Sequence, residues 1–414
     1  MSSRAPVDWK DFEILGEQMK KIAKLSLVAA VAVAGLTTAN AQPLEEAIKN
    51  VDVSGSVVYR YNDYSDDKAT GTLETDKGQK FDRTNNNYKV GLNLSSKVNE
   101  DVKFNSRFLV ASDKGDFAGP LDTSSSGDTN VNTTLSNANF GYTGIKNTTV
   151  TVGKQGLATP YTTPVMIDEN EQTGTGIMAL STVGPVTLGA AYFDQTNLQN
   201  VKDSALIDSV TKKSFFDGTE NIAALAAIAT FAPVTLDAWY LDMQDQFDTY
   251  TLGAKSDFKL GEVALGADAR WASLTPKGSD ANTIAKIALT AKAGIVNGKL
   301  AYAMTDKDGG ITGLDSDAST VLKGWNLNTL GKADADYWQA VVGVDILSNL
   351  NLSANYGNLQ YTGDVEEEEV YGQLTYKMSK NLSTYVRYGT YTKDTGSTTD
   401  IDATTGRIQV AYTF

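Results

Sequence analysis

The 414-residue chain contains no cysteine and no histidine. Without cysteine there is no disulfide, no thiolate metal site and no cysteine nucleophile. Without histidine the commonest general base is missing, and with it the Ser-His and imidazole–metal arrangements. Carboxylate-only chemistry survives this filter; most hydrolytic constellations do not. Long apolar runs are also lacking. Beyond an N-terminal presequence, nothing approaches the roughly 18 apolar residues of a transmembrane helix. The net charge is −14 with no basic run, which argues against nucleic acid as a partner. Mean hydropathy is −0.26, as in a soluble protein. That average misleads for a β-barrel, where lipid-facing and lumen-facing residues alternate and cancel.

The N-terminus divides into two parts. From Met19, the lysines Lys20, Lys21 and Lys24 precede the apolar run Leu25 to Leu36, and Ala39-Asn40-Ala41 has a small-x-small pattern. This is the layout of a secretory signal peptide over 19–41, with the exported chain starting at Gln42. Residues 1–18 are mixed and acidic, and read as an extension arising from a misplaced start. Residues 42–414 are expected to form a single domain.

From Val51 to Phe414 the chain repeats one unit: an alternating run, a short turn, another alternating run, then a longer polar loop. Val51, Val53, Val57, Tyr59 and Tyr61 share one face, and Asp52, Ser54, Ser56, Arg60 and Asn62 the other. Later runs behave likewise, for example Val234, Leu236, Ala238 and Tyr240, or Leu350, Leu352, Ala354 and Tyr356. The last is Thr405 to Phe414, with Ile408, Val410, Tyr412 and the terminal Phe414 on one face. Ile222 to Ala232 is rich in alanine and is read as a strand because clear hairpins flank it. Short turns are expected at Val183-Gly184-Pro185, Ala232-Pro233, Val296-Asn297-Gly298 and Ser379-Lys380-Asn381. Long polar loops are expected at 63–82, 113–128, 195–219, 307–334 and 392–404, on the extracellular side. Aromatic residues near strand ends, such as Trp239 with Tyr240 and Tyr388 with Tyr391, suggest interfacial girdles. The count is about eighteen strands. The expected fold is all-β, a transmembrane antiparallel barrel in which the last strand closes against Val51–Asn62.

The predicted inner faces are polar and of mixed charge: Arg60, Lys89, Lys103, Arg107, Asp237, Asp268, Arg270, Lys286, Lys292, Asp345 and Arg387. At this strand count, a polar interior leaves a water-filled channel. The segment Lys154 to Gly176 differs from the other loops. It carries apolar residues and two prolines, and so is built to pack against something. Folded inward, it would set Asp168, Glu169 and Glu171 at the waist of the pore, where carboxylates attract cations. Arg60, Lys89, Arg107 and Arg387 would form a basic wall opposite, giving a transverse field that orients dipolar solutes. Asp168, Glu169 and Glu171 could also hold Ca²⁺, although no EF-hand spacing is present. Glu366 to Glu369 form a second acidic run on a predicted outer loop, read as a solvated face with divalent ions bridging to lipopolysaccharide.

The start Gln42-Pro43-Leu44-Glu45-Glu46-Ala47-Ile48-Lys49-Asn50-Val51-Asp52-Val53-Ser54-Gly55 resembles that of the Campylobacter-type major outer membrane porins, as does Leu25-Ser26-Leu27-Val28-Ala29-Ala30. Tyr59-Arg60-Tyr61, and Gly153-Lys154-Gln155 with Gly174-Thr175-Gly176 at the two ends of the third loop, are similar as well. The resemblance implies an eighteen-stranded homotrimeric general porin of the outer membrane, with a folded-in third loop, a cation-preferring pore and Ca²⁺ at the constriction. The Asp-Glu-Asn-Glu stretch departs from that family's loop. Together these readings anticipate passive passage of small hydrophilic solutes and cations, without catalysis. The alternative is a surface adhesin or structural barrel whose outer loops bind host ligands. N-terminal sequencing of the unprocessed precursor should begin at Met19, and a precursor beginning at Met1 would refute the misplaced start.

Overall fold

A computed structural model of the chain describes residues 51–67, 81–111, 132–167, 171–198 and 216–414. The extension and signal segment at 1–41 lie outside the described residues. Nine strands make up the first half: β1 Val51–Asp66, β2 Phe81–Lys97, β3 Val102–Ala111, β4 Asn132–Tyr142, β5 Thr148–Gly156, β6 Thr173–Val183, β7 Val186–Thr196, β8 Ile222–Phe231 and β9 Val234–Met243. The second half comprises β10 Phe247–Leu260, β11 Val263–Pro276, β12 Asn282–Ala293, β13 Val296–Thr305, β14 Asp336–Leu347, β15 Leu350–Tyr361, β16 Val365–Lys377, β17 Leu382–Thr395 and β18 Thr398–Thr413. Each strand pairs antiparallel with the next, and β18 pairs with β1, so the 18-stranded sheet is a closed barrel.

Closure is made by the end of the chain. Ser56 lies opposite Thr413 and Asp66 opposite Ala403. Beyond the last paired strand residue, Phe414 exchanges two backbone hydrogen bonds with Gly55, at 2.9 and 3.1 Å. Its ring covers Gly55 and lies against Tyr412, with centroids 5.8 Å apart. A Cβ on Gly55 would collide with the carbonyl oxygen of Gly91 and approach Phe414 Cζ to 2.7 Å. Only glycine fits where the first and last strands meet.

The two faces separate as a barrel in lipid requires. The outer face carries Leu236, Leu252, Ile287, Leu289, Leu300, Val342, Leu352 and Val386, all exposed. Outward aromatics pair across strands: Tyr240 with Tyr250 and Tyr302 with Trp338 toward the loop ends, and Phe104 with Phe140 toward the turn ends. These form the two girdles. Trp239 and Tyr391 do not belong to them. A strand period of two sends Trp239 inward onto a buried cluster, and Tyr391 inward to Glu367.

The alanine-rich segment 222–231 is a strand, because β7 and β9 leave one hydrogen-bonding slot between them. The Asn-Gly signal at 297–298 is misleading. Both residues lie inside β13, and the turn falls at Gly294, whose φ is 58°. A turn there keeps Leu289 opposite Leu300 and Ile287 opposite Tyr302. Residues 392–404 are not a loop: β17 and β18 run on to a tight turn at Gly396. Much of 63–82, 113–128 and 195–219 lies outside the described residues.

The largest departure is at 306–335. This segment folds into the lumen instead of standing outside it. Leu314 packs with Leu157 and Tyr161 of the third loop against Phe193, Ile222, Leu241, Met243 and Leu274 of the wall. Leu322 and Leu327 pack with Ile284, Ala303, Tyr337 and Leu359. Each fully buried leucine contributes roughly 1.5–3 kcal/mol. The upper inner wall from β7 to β15 is therefore apolar, not polar as expected from the charged positions alone. The signal was present in Leu241 and Met243, which share the inward face with Trp239.

Gly55→Val should leave the secreted chain intact but impair closure, at a cost of about 1–3 kcal/mol. The measurement is the temperature at which the compact form of the barrel converts to the unfolded form on a denaturing gel. An unchanged temperature would show that the Phe414 contact does not limit stability.

Candidate functional site

The third loop, between β5 and β6, leaves the wall with its own internal scaffold. Leu157 N donates to Gln172 O, Gln172 N to Thr163 O, and Thr163 N to Gln172 Oε1. Asn197 clamps the root, its Nδ2 donating to Glu171 O at 2.7 Å while its Oδ1 accepts from Thr173 N at 2.8 Å. From there the loop crosses the lumen. Tyr161 is fully buried in the cluster formed with β7 to β11. Met166 O accepts from Lys89 Nζ on β2, at 2.7 Å. In a closed ring of 18 strands, β11 and β2 stand on opposite sides. The third loop is thus a bar across the pore.

The segment 306–335 braces this bar. Leu314 N donates to Tyr161 O and Gln172 Nε2 to Leu314 O, both at 2.7 Å. Thr320 N donates to Pro160 O at 3.2 Å. The far side of the segment is tied to the wall by Lys286 Nζ, which donates to Val321 O at 2.8 Å. It is also tied by Glu369, whose carboxylate accepts from Trp325 N at 2.9 Å and Asn326 N at 2.7 Å.

Arg107 and Glu171 form the strongest polar contact of the site. Arg107 Nε lies 2.8 Å from Glu171 Oε2 and Nη2 lies 2.7 Å from Oε1. Ser136 Oγ donates to Oε2 at 2.7 Å, and Arg107 Nη1 donates to Asn93 Oδ1 at 2.7 Å. Both ions are buried, so this is a charge-assisted bidentate pair in a dry setting. The guanidinium reaches the glutamate over Gly91, where a Cβ would stand 2.5 Å from Nη2. A β-bulge between Arg107 and Phe108 opens β4 so that Ser136 also turns inward.

The rest of the basic wall lies on the strands where the barrel closes. Arg60 donates through Nε and Nη2 to Gln409 Oε1, at 2.9 and 2.6 Å. Arg387 donates through Nε to Gln373 Oε1, at 2.7 Å. Between them stands Arg407 on β18, opposite both Asn62 and Arg387, with Nε on Asn62 Oδ1 at 2.7 Å. Further round, Arg270 is held bidentately by Asp237, with both contacts at 2.8 Å.

A profile of the Campylobacter major outer membrane protein family matches residues 19–414. The chain belongs to that family. No match was found among curated proteins. Solved structures share its fold at low identity. Pseudomonas aeruginosa OpdK with vanillate is 16% identical, with a TM-score of 0.65, over 88% of this chain and 98% of that one. Acinetobacter baumannii OccAB3 is 15% identical, with a TM-score of 0.66, over 88% and 99%. P. aeruginosa OccK2 (OpdF) in complex with glucuronate is 14% identical, with a TM-score of 0.64, over 88% and 98%. Membership in the Campylobacter family and the barrel place the chain in the outer membrane as a porin for small solutes.

Against this geometry the expected site is partly redrawn. Arg60, Lys89, Arg107 and Arg387 all face the lumen. Glu171 does not oppose them across the pore; it is clamped by Arg107 at the loop root, and its charge is neutralised there. Asp168 and Glu169 lie outside the described residues. Glu171 also does not fit as a Ca²⁺ ligand, because Arg107 and Ser136 occupy both its oxygens. Among the described residues, no group of three or more acidic side chains could hold a metal. The run Glu366 to Glu369 is not an outer loop but part of β16, where alternation splits it. Glu367 and Glu369 turn inward and are buried, Glu367 accepting from Tyr361 and Tyr391 hydroxyls at 2.6 and 3.1 Å. Glu366 and Glu368 turn outward. Arg407 was missed, although its odd number puts it in phase with Gln409 on the last strand.

Glu171→Gln leaves Arg107 buried without a counter-ion, at a cost of roughly 3–5 kcal/mol. It should lower the unfolding temperature and raise single-channel conductance as the loop loosens. The double change Arg107→Met with Glu171→Met should cost less than either single change. Additive effects would show that the two residues do not act as a pair.

Proposed function

We propose that the chain is a passive diffusion channel for small hydrophilic solutes and ions, with a preference for cations, and that it works as a homotrimer. The observation that carries the channel reading is the two-loop bar across a closed barrel. It narrows the lumen to a polar side bounded by β15 to β18 and β1, where Asn351, Asn355, Gln373, Arg387 and Arg407 face inward. No nucleophile–base pair accompanies these residues among those described. The solutes seen with two similar structures, vanillate and glucuronate, are small and hydrophilic, which suits the same reading.

The preference for cations rests on the sequence reading of Asp168 and Glu169 as third-loop carboxylates, which lie outside the described residues, now that Glu171 is spent on Arg107. Fixed carboxylates at a constriction raise the local cation concentration. The homotrimer is supported by Lys154. This lysine sits on the outward face of β5, between lipid-facing neighbours, with Nζ on Leu135 O at 2.8 Å. A lysine on the lipid-facing surface carries a cost that rises to about 2–4 kcal/mol at the bilayer midplane, a cost removed when a second subunit covers it. Glu366 and Glu368 face outward near the end of β16, which supports the reading of divalent bridges to lipopolysaccharide phosphates.

In planar bilayers under a KCl gradient, the reversal potential should have the sign for K⁺, and Asp168→Asn with Glu169→Gln should move it toward zero. A Cl⁻ sign in the wild type would overturn the charge preference. Absence of conductance would overturn the channel, and a cross-linked species no larger than one chain would overturn the trimer.

A further inference from the structure

The geometry points to Arg387 as a docking point for the carboxylate of small organic solutes in transit, an inference that rests on the channel reading above. Arg387 faces the lumen from β17. Its Cζ lies 4.8 Å from the ring centroid of Tyr371, 4.9 Å from that of Trp325 and 5.2 Å from that of Tyr385. Tyr371 and Tyr385 come from β16 and β17, and Trp325 from the inward segment 306–335. Trp325 is itself fixed, because Glu369 holds its backbone N–H.

What sets this side chain apart is how its charge is met. Arg107 has Glu171, Arg270 has Asp237 and Lys292 has Asp345, each within ion-pair distance. Among the described residues, Arg387 has no carboxylate partner. Glu369, the inward acid on the neighbouring strand, has both oxygens on Trp325 and Asn326. A guanidinium carries five N–H donors in one plane. Gln373 takes one of them, at Nε. Aromatic rings stabilise the cation by cation–π attraction, but they offer no acceptor for the in-plane donors. The four Nη donors are left for water or for a solute.

A carboxylate matches that fork bidentately, which a chloride ion or a neutral hydroxyl cannot do. The rings hold the fork in one orientation, so little side-chain entropy is lost on binding. Arg407, paired in register with Arg387, lies against the same Trp325 ring, with its Cζ 5.6 Å from the centroid. The rims of Trp325 and Tyr385 provide apolar surface for the organic body of the solute. Such a site is compatible with a cation-preferring pore, since it acts on one wall and through directional hydrogen bonds.

The test uses single wild-type channels in KCl, with benzoate or glucuronate added and their uncharged counterparts benzamide or glucose as comparison. The carboxylates should reduce the mean current saturably, and the neutral compounds should not. Loss of a charge-assisted pair worth about 1.5–3 kcal/mol predicts that Arg387→Gln raises the half-saturating concentration at least roughly tenfold. Arg387→Lys keeps the charge but loses the fork, and should lose most of the effect. Trp325→Ala should weaken it too, and provides a second route if the Arg387 variants fail to fold. Lys255→Gln removes a lumen-facing cation elsewhere and should leave the half-saturation unchanged. An equal shift in Lys255→Gln would reduce the effect to general electrostatics and overturn the site. Equal block by benzoate and benzamide in a conducting channel would also overturn it, while leaving the channel reading intact. A protein that does not conduct would overturn both.

Discussion

A backbone inside hydrocarbon must satisfy every N–H and C=O within the protein, and the rest of this structure follows from that requirement. It accounts for the junction where Phe414 exchanges hydrogen bonds with Gly55, because an open β1 edge would leave a row of polar groups in lipid. It also explains why local preferences yield. Ile222–Phe231, with many alanines, has the composition of a helix, yet it fills the slot between β7 and β9. Asn297-Gly298 has the chemistry of a tight turn, yet it runs through a strand, because the leucine and isoleucine pairs of β12 and β13 set the turn three residues earlier in the chain, at Gly294-Ile295.

The same requirement governs the lumen once two long segments enter it. Irregular backbone inside a barrel exposes carbonyls and amides that no neighbouring strand can pair. The wall supplies charged side chains for them: Lys89 for the Met166 carbonyl, Lys286 for the Val321 carbonyl, Glu369 for the Trp325 and Asn326 amides. Where the two segments meet, they satisfy one another through Tyr161, Leu314, Pro160 and Thr320. Hydrogen bonds to ionised groups are stronger than neutral ones, so a few of them fix long stretches of loop. The apolar clusters around Leu157, Tyr161, Leu314 and Leu327 then hold the loops against the wall.

This division of labour explains what could be read in the sequence and what could not. Period-two alternation is a local property, so the barrel, the strand count and the inward direction of Arg60, Lys89, Arg107 and Arg387 were all legible. The inward fold of the third loop was legible too, because Leu157, Tyr161 and the prolines have no purpose in water. The segment 306–335 has leucines at 314, 322, 327 and 330, but no regular spacing joins them, and its glycines and aspartates read as a solvated loop. Which charge pairs with which was beyond reach. Arg107 and Glu171 are 64 residues apart in sequence and meet only because the third loop returns beside β3 and β4. The Glu366–Glu369 run was misplaced for a simpler reason: four acids in a row look solvated, whereas alternation on a strand buries every second one.

Counting charged residues on the inner face therefore overstates the field a solute meets. Arg107 and Glu171 cancel at the loop root, Arg270 and Asp237 cancel beside Tyr161, and Lys89, Lys286 and Glu369 serve backbone groups. Charges spent in this way are buried or half-buried, and they contribute to the position of the bar more than to the potential in the opening. Arg387 belongs to a different class. Its neighbours are aromatic rings and one amide, which hold the guanidinium in place without neutralising it. A channel wall that uses most of its ions as structure, and leaves an oriented one facing the solute path, separates the task of shaping the pore from the task of recognising what passes.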